Sequence, residues 1–257
     1  MNFLISAVTD IGLTKSTNQD SYFVRHFKTK QGNIVLAVVC DGMGGLSKGE
    51  IASSSVVNAF KKWSENRLPL LIETGFNETT LQAEWNSIAI DFNKKIKEYA
   101  NSFGTNMGTT LVAILLTESV FYIINVGDSR AYEISNQIRV LTNDQTVVAK
   151  EVSLGRLTPE QAEKDPRRSV LLQCIGASIE VVPDFFVGSV VPNAVYMLCS
   201  DGFRHEITPE EIYAYMNASV MTSSPQMQAN MQALVELNKQ RQERDNITVV
   251  GIRTYME

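Results

Sequence analysis

The chain has 257 residues, 44% of them hydrophobic and 20% charged, with 23 basic against 28 acidic side chains and a formal net charge of −5. That is the composition of an ordinary globular protein with enough chain to bury a full core. The acidic balance gives no basic field for nucleic acid or an anionic membrane surface, and no apolar run nears the roughly 20 residues that cross a bilayer.

The opening MNFLISAVTDIG lacks the basic region and small-residue cleavage site of a secretory leader and reads as a first strand over Phe3–Val8. Strands follow over Asp20–Phe27 and Ile34–Cys40, rich in Val, Ile and aromatics and bounded by turn residues. The segment NIVLAVVCDGMGG, Asn33 to Gly45, then runs from an apolar strand into one aspartate and a set of glycines. A plain turn explains that shape, with Gly44 and Gly45 as turn residues.

Two helices come next. In Glu50–Arg67 the stripe is Ala52, Val56, Phe60 and Trp63; in the second it is Leu81, Trp85, Ile88, Phe92, Ile96 and Tyr99, with Thr79 and Gln82 as a capping box. A second block of strands covers Thr110–Leu116, Val120–Val126, Arg130–Ile134, Ile138–Leu141, Val181–Val187, Val195–Cys199 and Ile247–Arg253. The links Thr117–Ser119 and Ser135–Gln137 are short enough for antiparallel hairpins. Capping signals at Thr208-Pro209-Glu210-Glu211 and Ser224-Pro225 open two further helices. Helix pairs flanking two stacked antiparallel sheets satisfy every apolar face, so the expectation is an α+β, four-layer α-β-β-α sandwich in one domain, 1–257. Residues 142–177 interrupt the regularity and read as a surface flap with a short helix capped at Thr158 and Gln161.

The strand-to-aspartate pattern recurs. Val195–Cys199 leads into Ser200-Asp201-Gly202, Asp128 ends a strand in NVGDSR, and Asp245 precedes the last strand; Asp10 and Asp20 flank the first turn. Carboxylates gathered at one end of a sandwich repel one another unless a cation neutralises them. Oxygen ligands without a Cys or His cluster point to Mg2+ or Mn2+ rather than zinc. The three cysteines, Cys40, Cys174 and Cys199, follow apolar residues, form no CxxC pair and read as inert packing in a reducing cytosol.

The ordered set TDIGLTKSTNQDSY, VVCDGMGG, MGTTLVAIL, INVGDSRAY, LTNDQTVV, LCSDGF and ERDNITVV closely resembles the type 2C, metal-dependent protein serine/threonine phosphatases, in their bacterial form. The resemblance spans Asp10 to Val250. It implies the same sandwich with a two-metal centre of Mn2+ or Mg2+: Asp41 bridging both ions, the Gly42 carbonyl on the second, Asp201 and Asp245 on the first, Asp20 near the second through water, and Asp128 at a weaker third. It also implies hydrolysis of phosphoserine and phosphothreonine by an activated water, on phosphorylated proteins including a Ser/Thr kinase and its substrates. The cysteine usage adds the expectation of a cytoplasmic protein, and with nothing in the sequence pointing to an oligomer the expectation is a monomer. A catalytically silent binding module and a two-metal hydrolase of small phosphate esters are the alternatives.

Three positions depart from the family pattern. Lys15 stands where an arginine grips phosphate and is expected to keep that task as a point charge, the alternative being an exposed loop lysine. His205, four residues after Asp201, is either a third-metal ligand or general acid, or a helix-entry histidine bonded to backbone. Gln145 replaces a histidine with no assigned consequence, and His26 reads as a surface residue. Arg130 is expected to pair with a nearby carboxylate.

Overall fold

The computed structural model describes residues 1–44 and 48–256. The chain opens with three strands, β1 (Asn2–Asp10), β2 (Ser21–Thr29) and β3 (Gly32–Cys40), then the short β4 (Gly42–Gly44). Three helices follow, α1 (Gly49–Asn66), α2 (Leu68–Thr74) and α3 (Glu78–Ser102). Five strands come next: β5 (Met107–Thr109), β6 (Leu111–Leu116), β7 (Val120–Val126), β8 (Arg130–Ile134) and β9 (Ile138–Val140). The flap carries α4 (Val147–Ser153) and α5 (Pro159–Lys164). The chain closes with β10 (Asp184–Ser189), β11 (Val195–Cys199), a 3-10 turn at Asp201–Phe203, α6 (Pro209–Met216), α7 (Ser224–Gln240) and β12 (Ile247–Tyr255).

The strands form two five-stranded sheets, ordered β1-β12-β11-β8-β9 and β10-β7-β6-β3-β2, and every pairing in them is antiparallel. Alternation along β3 explains the layering. Ile34, Leu36, Val38 and Cys40 face α1 and α3, where Ala52, Val56, Phe60, Trp63, Leu81 and Trp85 pack on them. Val35, Ala37 and Val39 face the other sheet and meet Tyr196, Leu198, Val250 and Ile252. The outer face of that second sheet is covered by α6 and α7 through Ile212, Met216, Met227, Met231 and Leu234. A strand buried on both faces reads as a continuous apolar run, which is what β3 shows. The α-β-β-α sandwich expected from sequence is therefore the fold. Among the described residues no helix is long and apolar enough to cross a membrane.

Several local expectations change. The cap of α3 is Asn77, whose side chain accepts from the Thr80 amide, and not the Thr79–Gln82 box. The final helix is capped by Ser223, one residue before Ser224. The boxes at Thr158 and Thr208 form with both reciprocal bonds. Gly44 belongs to β4, which pairs with β5, so it is a strand residue and not a free turn; Gly45 lies outside the described residues. His26 is half-buried, its Nε2 3.0 Å from Asn33 Oδ1 and its ring edge-on to Phe3.

Candidate metal centre

Asp41 leaves β3 at the point where the sheet meets β4, and its backbone is clamped on both sides. Its N–H donates to Thr110 Oγ1 at 2.9 Å, and its carbonyl accepts from the Thr110 amide and the Thr109 hydroxyl, each at 2.9 Å. Thr110 Oγ1 in turn lies 2.7 Å from the Ser129 hydroxyl, beside Asp128. Gly42 follows in a slot too narrow for any side chain: a Cβ there would lie 2.4 Å from the carbonyl oxygens of both Gln19 and Gly49. Its N–H donates to the Gln19 carbonyl, which ties the Asp20 turn to the end of β3.

Asp20 is buried. Its Oδ2 accepts from Ser200 Oγ at 2.8 Å, while its Oδ1 has no hydrogen-bond partner. Asp201, also buried, starts the 3-10 turn and likewise keeps Oδ1 unpartnered. Asp245 is held against the first turn of the chain. Gly12, at φ +75°, passes so close that a Cβ would lie 2.2 Å from the Asp245 carbonyl oxygen, and a left-handed glycine is needed for that approach. Asn246 pins the neighbouring segments by donating to the carbonyls of Ile11 and Thr17 and accepting from the Gln19 amide.

These carboxylates feel one another's charge. Burial pushes the Asp41 carboxyl well above the carboxylate range, and Asp20, Asp201, Asp245 and Asp128 each push it further. Asp20 is raised to about 7 by burial first, with Asp201 and Asp245 adding to the rise. Asp128 is also raised to about 7, by burial and then Asp201, against the opposing pull of Arg204. Five aspartates from five separate segments thus share one region of mutual repulsion.

The donor set fits a hard cation that keeps part of its water. Among the described residues no three His, Cys, Asp or Glu side chains form a ready-made cage. Mg2+ uses one or two carboxylates and retains several waters, so a closed all-protein cage is not what such an ion requires. The orphaned, buried oxygens of Asp20 and Asp201 are the direct sign of the fit, since an ionised buried carboxylate without a partner is costly.

Lys15 reaches the rim of this region, with Nζ 2.8 Å from Asp245 Oδ1 and the side chain 38% exposed. Burial works against its charge but Asp245 prevails, so its pKa is raised. The other expected residues are placed as follows. Arg130 makes two 2.7 Å bonds to the two oxygens of Asp144, the carboxylate pairing expected for it. Asp10 accepts from the Gly12 amide and pairs with Lys239, a structural role outside the cluster. The three cysteines are free and buried, and burial pushes the Cys40 thiol well up and the Cys199 thiol to about 12. His205 is not held by backbone: its Nε2 lies 3.3 Å from Asp201 Oδ2 and its Nδ1 3.3 Å from Glu243 Oε2.

Sequence reasoning missed Arg204, Ser200 and Glu243. Arg204 is a mostly buried cation whose Nη2 donates to the Asp128 carbonyl at 3.0 Å and lies 3.5 Å from Asp144 Oδ2. It follows Asp201 by three residues, so a basic side chain inside the SDGFRH turn was the available signal. Gln145 acquires a place too. Its Oε1 accepts from the Gly127 amide at 2.7 Å, its Nε2 donates to Asp184, and its carbonyl accepts from Leu172, which joins the flap to the Asp128 turn.

Comparison with known proteins agrees with this geometry. The family described as Protein phosphatase 2C matches residues 14–237. A putative protein phosphatase 2C-type of Streptococcus pyogenes serotype M6 is 32% identical over 257 residues, covering 98% of each chain. The serine/threonine phosphatase of S. agalactiae is a solved structure with a TM-score of 0.84 and 30% identity, covering 98% of this chain and 100% of that one. The catalytic domain of the serine threonine protein phosphatase PstP, in complex with two manganese ions, superimposes with a TM-score of 0.78 at 26% identity, covering 99% and 100%.

Proposed function

The chain belongs to the protein phosphatase 2C family and is a protein serine/threonine phosphatase, and from that premise we propose that its aspartate cluster is a catalytic centre for Mn2+ or Mg2+. The observation that carries the assignment is the Asp41 carboxyl, raised by burial and by four neighbouring aspartates at once. In this reading Asp41 would be a ligand shared by two ions, the Gly42 carbonyl would serve the second, Asp201 and Asp245 would hold the first, Asp20 would act near the second through water, and Asp128 would serve a weaker third. The two manganese ions of the PstP structure support that count.

Bound there, the ions supply a water of lowered pKa and offset charge on the phosphoryl oxygens. The chain's own residues do the rest. The Thr109 and Thr110 hydroxyls clamp the Asp41 backbone, with Ser129 bonded to Thr110 behind them, so the main chain that carries this carboxylate is fixed in advance. Ser200 Oγ, donating to Asp20 Oδ2, leaves Asp20 Oδ1 turned to the centre. Lys15, at the exposed rim beside Asp245, is the cation placed to meet a phosphoryl oxygen of an entering phosphoserine or phosphothreonine. The buried, high-pKa thiols offer no cysteine nucleophile, which suits direct attack by water.

The substrates in this reading are phosphorylated proteins, among them a Ser/Thr kinase that the enzyme opposes and that kinase's targets. The protein works as a cytoplasmic monomer, with residues 1–257 as one catalytic unit and the flap over 142–177 contributing to substrate choice. Hydrolysis of a phosphothreonine peptide with Mn2+, with Mg2+ and with EDTA tests it. Activity that requires the divalent ion is expected; activity undiminished in EDTA refutes the metal centre.

A further inference from the structure

The turn that carries Asp201 continues through Phe203, Arg204 and His205, and it packs against the loop that carries Asp245. Between them lies Glu243, whose side chain is 7% exposed. Its Oε1 accepts from the backbone amides of Arg244 at 2.7 Å and Asp245 at 2.8 Å. Its Oε2 lies 3.3 Å from His205 Nδ1, and the other ring nitrogen of His205 lies 3.3 Å from Asp201 Oδ2. A continuous path therefore runs from the Asp201 carboxylate, through the imidazole and the Glu243 carboxylate, to the backbone of Asp245.

Three further facts give this path a purpose. His205 stands beside Oδ2 of Asp201, while Oδ1 is buried without a partner, so the two oxygens of this carboxylate are distinguished by the ring. Asn238, fully buried near the end of α7, staples the same two loops: it donates to the Phe203 carbonyl, accepts from the Glu206 amide, and its own carbonyl accepts from Glu243. Finally, a buried carboxylate is an expensive way to join two loops when apolar packing serves, so its presence calls for a task beyond stability. Both ring nitrogens face carboxylate oxygens, one on each loop, so the imidazole touches both loops at once.

We propose that His205 and Glu243 form a positioning bridge that sets Asp201 and Asp245 at the spacing needed for one divalent cation. The proposal rests on the assignment of Asp201 and Asp245 to the first ion. His205 is a positioning residue in this account: it acts through Asp201, is neither a metal ligand nor a proton donor, and Glu243 acts through both His205 and the Asp245 amide. Outer partners of this kind typically change metal affinity by roughly 10–100-fold when removed.

The test is a calorimetric Mn2+ titration of the full chain, without substrate, for the unsubstituted protein, His205→Ala, Glu243→Gln and the double variant. Thermal melts in EDTA accompany each titration to register any loss of fold. His205→Ala is expected to weaken the tighter Mn2+ site by about tenfold or more. Glu243→Gln weakens it as well, and the double variant falls short of the product of the two losses, because both residues serve one path. Raising Mn2+ restores kcat in His205→Ala, so the loss appears in the Mn2+ activation midpoint. Where His205→Ala melts below the working temperature, His205→Gln is titrated in its place, with the same expectation of weaker binding. Unchanged affinity overturns the bridge. So does tighter binding, the result if the imidazolium only competes with the ion for Asp201. Failure of the unsubstituted protein to take up Mn2+ overturns instead the assignment of Asp201 and Asp245 as ligands, which separates the two claims.

Discussion

Asp20→Asn in the metal-free protein puts the repulsion within the cluster to a stability test. The Asp20 carboxyl stands at about 7 against an ordinary 3.8, because burial and then the neighbouring Asp201 and Asp245 oppose its charge. At 1.36 kcal/mol per pH unit, that rise is a ceiling of roughly 4 kcal/mol of stability lost once the group is ionised. Water entering the metal-free site lowers the realised figure, and we expect about 1–2 kcal/mol. The sign follows from the direction of the rise. The native state holds its proton more tightly than the unfolded chain, so stability is full below pH 3.8 and declines as pH rises through about 7. Asn removes the charge and keeps an oxygen to accept from Ser200 Oγ. In EDTA at pH 8 the variant should therefore melt about 2–8 °C higher than the unsubstituted protein, with the gap closing toward pH 4. Saturating Mn2+ should narrow or reverse the order, since the ion stabilises only the form that binds it. Scanning calorimetry across pH in EDTA and in Mn2+ reads both effects. A variant less stable than its parent at pH 8 in EDTA would refute the reasoning.

Three other substitutions probe the scaffold and the rim. Gly42→Ala forces a Cβ to 2.4 Å from two backbone carbonyls, so it should cost at least about 2 kcal/mol in urea unfolding and abolish turnover; a well-folded, active variant contradicts the slot. Arg130→Met leaves the Asp144 carboxylate, which burial opposes, with Arg204 alone at 3.5 Å; we expect a loss of about 2 kcal/mol at pH 7 that shrinks as pH falls and Asp144 takes up its proton. Lys15→Ala should lower kcat/KM for a phosphothreonine peptide about tenfold, and an unchanged value removes Lys15 from phosphate binding.

The layers were legible because they are written in short-range pattern. Alternation in Ile34–Cys40 and the four-and-three spacing from Ala52 to Trp63 each declare a face without reference to the rest of the chain. Short elements were not: α2 and α4 have seven residues each, and β4 and β5 three, too few for a period to show. The aspartates were found because each closes an apolar strand or opens one. Their supporting residues were out of reach for a physical reason. Ser200 meets Asp20 across 180 positions of sequence, and Gln145 meets Asp184 across 39, contacts that only the folded chain creates. Glu243 sat two residues before Asp245 without a sign that it turns inward. His205 drew notice as a rare histidine, but its two carboxylate partners lie on separate segments, and only the fold brings both to the ring.

The central claim is that the five aspartates at these strand ends form one ion-binding centre organised by Asp41. A calorimetric titration with Mn2+ of the unsubstituted protein and of Asp41→Asn tests it most directly. The account predicts uptake of at least two ions by the unsubstituted protein, and loss of that high-affinity uptake in a variant that still folds. Equal Mn2+ binding by both proteins would contradict it.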